Sequence, residues 1–190
     1  MHRPSPRALL ALLALTLFPV TARADRFAVH AAHWIDTHAG LEQGEVWVVV
    51  SGDTIESVRA SAPAGVPVTE LGGATLLPGL IDCHTHLSSR VGLSPLDDLK
   101  SSSARNAITG VNNCRATVEA GITTCRDVGG SGLADIALRD AVRAGEIVGP
   151  RMQVATFALS MTGGHGDERN RLDVHWDFTD PNGVADGVDE

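Results

Sequence analysis

At 190 residues the chain is long enough to bury a core, and by length alone it reads as one domain. With 43% apolar and 20% charged residues and 20 glycines, the composition excludes a disordered or fibrous chain. Fifteen basic against 23 acidic residues give a net charge of −8, which leaves no basic face for nucleic acid, so no nucleic-acid partner is expected.

Residues 1–24 have the layout of an export signal: a basic "MHRPSPR", an apolar "ALLALLALTLF", and "PVTARA" ending in small residues. Ala22 and Ala24 occupy the positions that a signal peptidase reads, which makes Asp25 the mature N-terminus. The apolar run breaks at Pro19, well short of the roughly 20 residues that a membrane span needs, so no stable membrane anchor is expected. No cysteine follows the cleavage point to take a lipid. The expected location is therefore periplasmic or secreted.

Residues 26–71 read as β structure, with a strand–turn–strand in "GEVWVVVSGDTIESV" around Ser51-Gly52-Asp53 and a further short strand from Val66 to Leu71. A small sandwich or barrel suits such strands. The pattern then changes. "ATLLPGLIDCH" is a continuous apolar run, as expected of a strand buried on both faces. A helix follows over about Ala104 to Ala120, with Ile108, Val111, Arg115 and Val118 on one face and Gly121 as its stop. "ITTCRDVGG" is a β-branched strand, and a second helix runs from about Leu133 to Ala144, with Leu133, Ile136, Ala137 and Ala141 on one side and Gly145 after it. "PRMQVATFALS" is a third strand, leading to the loop "MTGGHGDERN". Strands and helices alternating at this spacing predict βα units and a parallel sheet. Cys83, Cys114 and Cys125 form neither a disulfide framework nor a zinc-knuckle pattern and are read as small buried apolar residues, with a Cys114–Cys125 bridge left open.

His84 and His86 stand two apart at the end of the apolar strand, so strict alternation places them on one face, with Asp82 beside them. Imidazole nitrogen is a good ligand for Zn²⁺ and its neighbours, and two rings from one strand make a rigid half-site. A buried strand that ends in three polar residues on one face carries a cost that function explains.

"LLPGLIDCHTHL" resembles the first-strand signature of the amidohydrolase superfamily of metal-dependent hydrolases. "AGITTCRDVGG", "GEIVGPR" and "SMTGGHGD" are similar to its imidazolonepropionase-like and Xaa-Pro dipeptidase-like branch. The resemblance implies an α/β fold: residues 25–73 form a small β-sandwich domain (its N-terminal portion), and residues 74–190 hold the first three βα units of a (β/α)8 TIM-type barrel. It further implies one or two divalent metal ions, most often zinc, held in part by His84 and His86. His165 would face a small-molecule or dipeptide substrate, and Asp82 would orient a ligand histidine from behind. The activity implied is hydrolysis of an amide C–N bond, with a cyclic-amide hydrolase or a non-catalytic secreted module of the same fold as alternatives. Arg126 and Asp127 read as a structural ion pair or cap.

The superfamily's later ligands, among them a lysine on a fourth strand, have no counterpart here. Lys100, the only lysine, falls just after the first strand, and His175 carries no reading. The chain is therefore expected to be the truncated N-terminal part of a longer protein, inactive by itself, with a homo-oligomer left open for the full-length form.

Overall fold

The computed structural model describes residues 25–94, 96–97, 100–130, 132–167 and 186–188. The export signal, His175 and most of the acidic tail lie outside the described residues. Among the described residues no helix is long and apolar enough to cross a membrane. The chain divides into two compact units at Leu77/Pro78.

The first unit contains β1 (Arg26–Ala31), β2 (His33–Asp36), β3 (Leu41–Gln43), β4 (Val46–Ser51), β5 (Thr54–Arg59), β6 (Val68–Glu70) and β7 (Thr75–Leu76). They form a four-stranded sheet ordered β5-β4-β1-β6 and a three-stranded sheet ordered β3-β2-β7. β7 pairs with β2, which keeps residues 75–76 in this unit. The β4–β5 hairpin turns at Gly52-Asp53, where Gly52 takes the left-handed conformation that such two-residue loops require (φ 61°). Ala28 lies opposite Val49, and Ala31 opposite Val46, all fully buried. Strand residues three apart point to opposite faces, so the β1–β4 pair is buried on both.

Beside this core, His30 aligns with Trp47 on β4 and with Glu70 on β6. Its ring stacks on the indole at 4.2 Å, Nδ1 meets Glu70, and Nε2 lies 3.0 Å from a Glu45 carboxylate oxygen. Carboxylates only accept hydrogen bonds when ionised, so a ring held between two of them favours the doubly protonated imidazolium.

The second unit contains β8 (Leu80–Thr85), α1 (Ser103–Glu119), β9 (Ile122–Asp127), α2 (Ala134–Ala144) and β10 (Arg151–Val154). The three strands are parallel, ordered β10-β9-β8. The predicted βα alternation is present, with helix limits within one residue of expectation. The third strand is shorter than "PRMQVATFALS" and ends at Val154. Ser102 caps α1 by accepting from the Arg105 N–H at 3.2 Å, and Gly121 follows its end with φ 89°. Leu87, Cys114, Cys125, Leu138 and Met152 form the core, with Val111, Val142, Ile147 and Val154 packed against it.

Three expectations need correction. β8 is not buried on both faces: Leu80 and Ile81 are 49% and 68% exposed. Among the described residues it pairs only with β9, so it is an edge strand. On α1 the buried residues are Asn106, Gly110 and Cys114, while Ile108 is exposed. Close helix packing selects small residues here, since a β-carbon on Gly110 would lie 2.2 Å from a Leu138 methyl. On α2 the buried residues are Ala134, Asp135 and Leu138, whereas Leu133 and Ala137 are exposed. All three cysteines are free thiols. Cys114 and Cys125 are buried as read, and burial pushes the Cys114 thiol up to about 11; Cys83 is exposed.

Two predictions follow from this packing. Leu138→Ala should destabilise the second unit by about 2–5 kcal/mol in urea denaturation, because it opens a cavity against Gly110 in a full core. His30 has its pKa raised above the ordinary 6.5, first by the Glu70 hydrogen bond and then by Glu45, against the opposing effect of burial. The folded value lies above the unfolded one, so the ring stabilises fully below 6.5 and that contribution fades as pH rises through the folded value. Melting temperatures measured from about pH 5.5 to about 8.5 should fall more steeply for wild type than for His30→Gln.

Candidate metal half-site

The site begins with a fault in the β8–β9 ladder. Asp82 is level with Cys125 and Thr85 with Asp127, so β8 fits three steps where β9 takes two. Such a bulge re-aims the side chains that follow it. Alternation therefore does not carry from Asp82 to His84. Asp82 lies on the Cys125 side, and its carboxylate accepts the His84 backbone N–H at 3.0 Å. It supports His84 through the main chain and makes no hydrogen bond to either imidazole.

His84 and His86 stay together beyond the bulge. Both are exposed, with ring centres 5.4 Å apart and planes at 74°. Two imidazoles on one tetrahedral ion, with metal–nitrogen bonds of about 2.0–2.1 Å, have ring centres roughly 5 Å apart. The observed centre-to-centre spacing is close to that value. His86 Nδ1 lies 2.9 Å from the Gly129 carbonyl oxygen. A carbonyl can only accept, so Nδ1 carries the proton, and the neutral ring keeps its lone pair on Nε2. This is the arrangement that ligating histidines adopt. Among the described residues no group of three or more His, Cys, Asp or Glu side chains could hold a metal, so the pair has no third candidate ligand beside it there.

The residue after the pair is anchored from three directions. The Leu87 side chain is in the core, its N–H donates to Asp127 Oδ2 at 2.6 Å, and its carbonyl accepts from Asn113 Nδ2 at 2.7 Å. Asn113 also donates to the Ser89 carbonyl at 2.9 Å, tying α1 to the loop beyond β8. Asp127 is fully buried, and its Oδ1 accepts the Gly129 N–H at 3.2 Å. Burial pushes this carboxyl up, the two backbone N–H groups pull it down, and nearby Asp135 raises it again. Of the two roles read for Arg126 and Asp127, the structure has the cap: Asp127 closes the ends of β8 and β9 at once. Asp135, also fully buried, accepts the Thr156 N–H at 2.9 Å, and the Thr156 carbonyl accepts from Gly130 at 2.7 Å, which fixes the other side of the glycine loop.

His165 lies exposed in the loop after β10. Among the described residues no hydrogen bond or ring contact joins it to the histidine pair. That loop is held by its own groups, with the Gly163 N–H donating to the buried Asp167 at 2.9 Å and the Gly166 N–H to Ser160 Oγ at 3.1 Å. Lys100 sits exposed in a turn before α1, not on a strand. Sequence reasoning missed Gly129, whose carbonyl sets the His86 tautomer; the only signal was its place in "DVGG", directly after a strand.

The sequence model of the Amidohydrolase family matches residues 75–186, more than half of the chain. The ochratoxinase of Aspergillus niger is 36% identical over 102 residues, covering 48% of this chain and 19% of that protein. A dihydroorotase of Pelobacter propionicus is 38% identical over 77 residues, covering 40% of this chain and 18% of that protein. The crystal structure of a Xaa-Pro dipeptidase with methionine bound in its active site superposes with a TM-score of 0.74 at 30% identity, over 85% of this chain and 41% of that one. The chain thus spans about a fifth of the length of the curated relatives and about two-fifths of that structure.

Asn113→Ala should leave the Leu87 and Ser89 carbonyls short of a donor and cost about 1–3 kcal/mol. Hydrogen exchange should show the Leu87–Ser89 amides opening faster while those of β10 are unchanged.

Proposed function

Because the chain belongs to the amidohydrolase family, we propose that it is part of an exported, metal-dependent hydrolase that cleaves an amide C–N bond, with dipeptides as the substrate class. The observation that carries this reading is the His86–Gly129 hydrogen bond, which leaves Nε2 unprotonated beside the His84 ring at tetrahedral-like spacing. His84 and His86 would hold a divalent ion, zinc by donor type. Such an ion, when bound, supplies Lewis-acid polarisation of the amide carbonyl and activation of water near neutral pH. The chain's own residues place the pair: Asp82 holds the His84 main chain, the Gly129 carbonyl orients the His86 ring, and Leu87 and Asn113 fasten the loop that follows. The likeness to a Xaa-Pro dipeptidase, named for the dipeptides it cleaves, supports the substrate class. The parallel strand ends, where α/β folds gather reactive groups, support the site's position. Export rests on the layout of residues 1–24, and peptide scavenging outside the cytoplasm suits it. In this reading His165 contacts the substrate from its loop, the small N-terminal sheets pack as a sandwich, and further ligands complete the shell from outside the 190 residues.

Elemental analysis of the intact protein should find near-stoichiometric zinc or a related divalent metal, lost in the His84→Ala, His86→Ala double variant. Unchanged metal content in that variant would remove the site assignment.

A further inference from the structure

Asp127 is a buried carboxylate facing no cation among its hydrogen-bond partners, and both of its oxygens are spent on backbone amides. That is a costly way to end a strand when an apolar residue would do. The two amides belong to the two segments that frame His86. One is Leu87, directly after it; the other is Gly129, whose carbonyl takes its Nδ1 proton. We propose that Asp127 is the positioning residue of the half-site, holding His86 in its Nδ1–H tautomer by fixing the Gly129 carbonyl and the Leu87 backbone together. Asp127 fixes where Gly129 begins by accepting its N–H, the carbonyl one Cα further on meets the ring, and the Leu87 bond clamps the other end. Gly129 suits this place: a β-carbon there would rest 3.5 Å from the His86 ring, so the backbone passes directly beside the imidazole. The second buried carboxylate, Asp135, acts on the same plane from the other side: it holds Thr156, whose carbonyl accepts the Gly130 N–H, and that N–H shares a peptide plane with the Gly129 carbonyl. Asp127 alone ties this plane to the Leu87 backbone. The role of Asp127 in metal binding rests on the proposed function; its role in setting the tautomer does not.

The test uses protein uniformly labelled with 15N and 13C, without metal, at a pH where the ring is neutral. Wild type should show His86 protonated on Nδ1, with couplings across hydrogen bonds from the Leu87 and Gly129 amides to the Asp127 carboxyl carbon. Asp127→Asn keeps the shape but turns an NH2 toward a backbone N–H, so His86 should relax to a mixture of tautomers while exposed His165 is unchanged. Leu138→Ala, which loosens the same core without touching the relay, should leave the His86 tautomer as in wild type. Competition with a chromophoric chelator should find zinc bound about 10–100-fold more weakly by Asp127→Asn. An Nε2–H tautomer in wild type, an unchanged tautomer in Asp127→Asn, or an equal change in Leu138→Ala would each overturn the proposal. If Asp127→Asn does not fold, the wild-type tautomer and the couplings to Asp127 decide alone. Metal that persists without His84 and His86 would instead overturn the metal reading and leave the tautomer result standing.

Discussion

The second unit turns on one buried carboxylate. Two parallel strands have no hairpin to join their ends, so something else must hold the loops that leave them in register. Asp127 does this with two hydrogen bonds, one to the loop after β8 and one to the loop after β9. A carboxylate accepts from both at once, and no neutral side chain of its size offers two acceptors so close together. Its burial cost is offset by charge-assisted bonds to those amides, which are stronger than neutral ones. The same feature that makes it expensive also makes it directional.

Around that clamp the half-site combines a mobile-looking surface with a fixed frame. His84 and His86 are exposed, yet the residues on either side of them are not free to move. Asp82 replaces a ladder bond at the bulge, and Leu87 is fastened by its side chain, its amide and its carbonyl. The His86 ring is held directly, by the Gly129 carbonyl at its Nδ1, whereas His84 is held through its backbone alone. The first unit shows a similar economy on a different scaffold. There a single imidazole joins three strands, with Trp47 on its face and Glu70 and Glu45 at its two nitrogens.

The order of strands and helices in the second unit was legible because its cues are local. β-branched runs mark the strands, and the glycine after each helix helps to set the helix limits to within a residue. The paired histidines were legible for the same reason, since spacing alone keeps residues two apart together. What stayed hidden depends on partners distant in sequence. The bulge between Asp82 and Thr85 exists only relative to β9, so alternation counted along β8 carried Asp82 to the wrong face. The buried faces of both helices follow close approach at Gly110 and the seating of Asn106 and Asp135, not apolar periodicity. The Gly129 carbonyl has no side chain to announce it. The exposure of Leu80 and Ile81 reflects the strand order rather than any quality of the residues.

Asp82 and Asp127 serve the backbone in the same way. Asp82, expected beside an imidazole, and Asp127, which takes the cap rather than the ion pair of its two expected roles, both accept from main-chain amides. Amides at strand ends and bulges are the groups that the ladder leaves unpaired, and a short carboxylate nearby is their cheapest acceptor. Backbone demand is therefore met first, and the imidazoles receive their orientation at second hand. A side chain whose backbone is fastened on both sides keeps its place even when its own ring is open to solvent. That is how, among the described residues, two exposed histidines stay side by side at the end of β8.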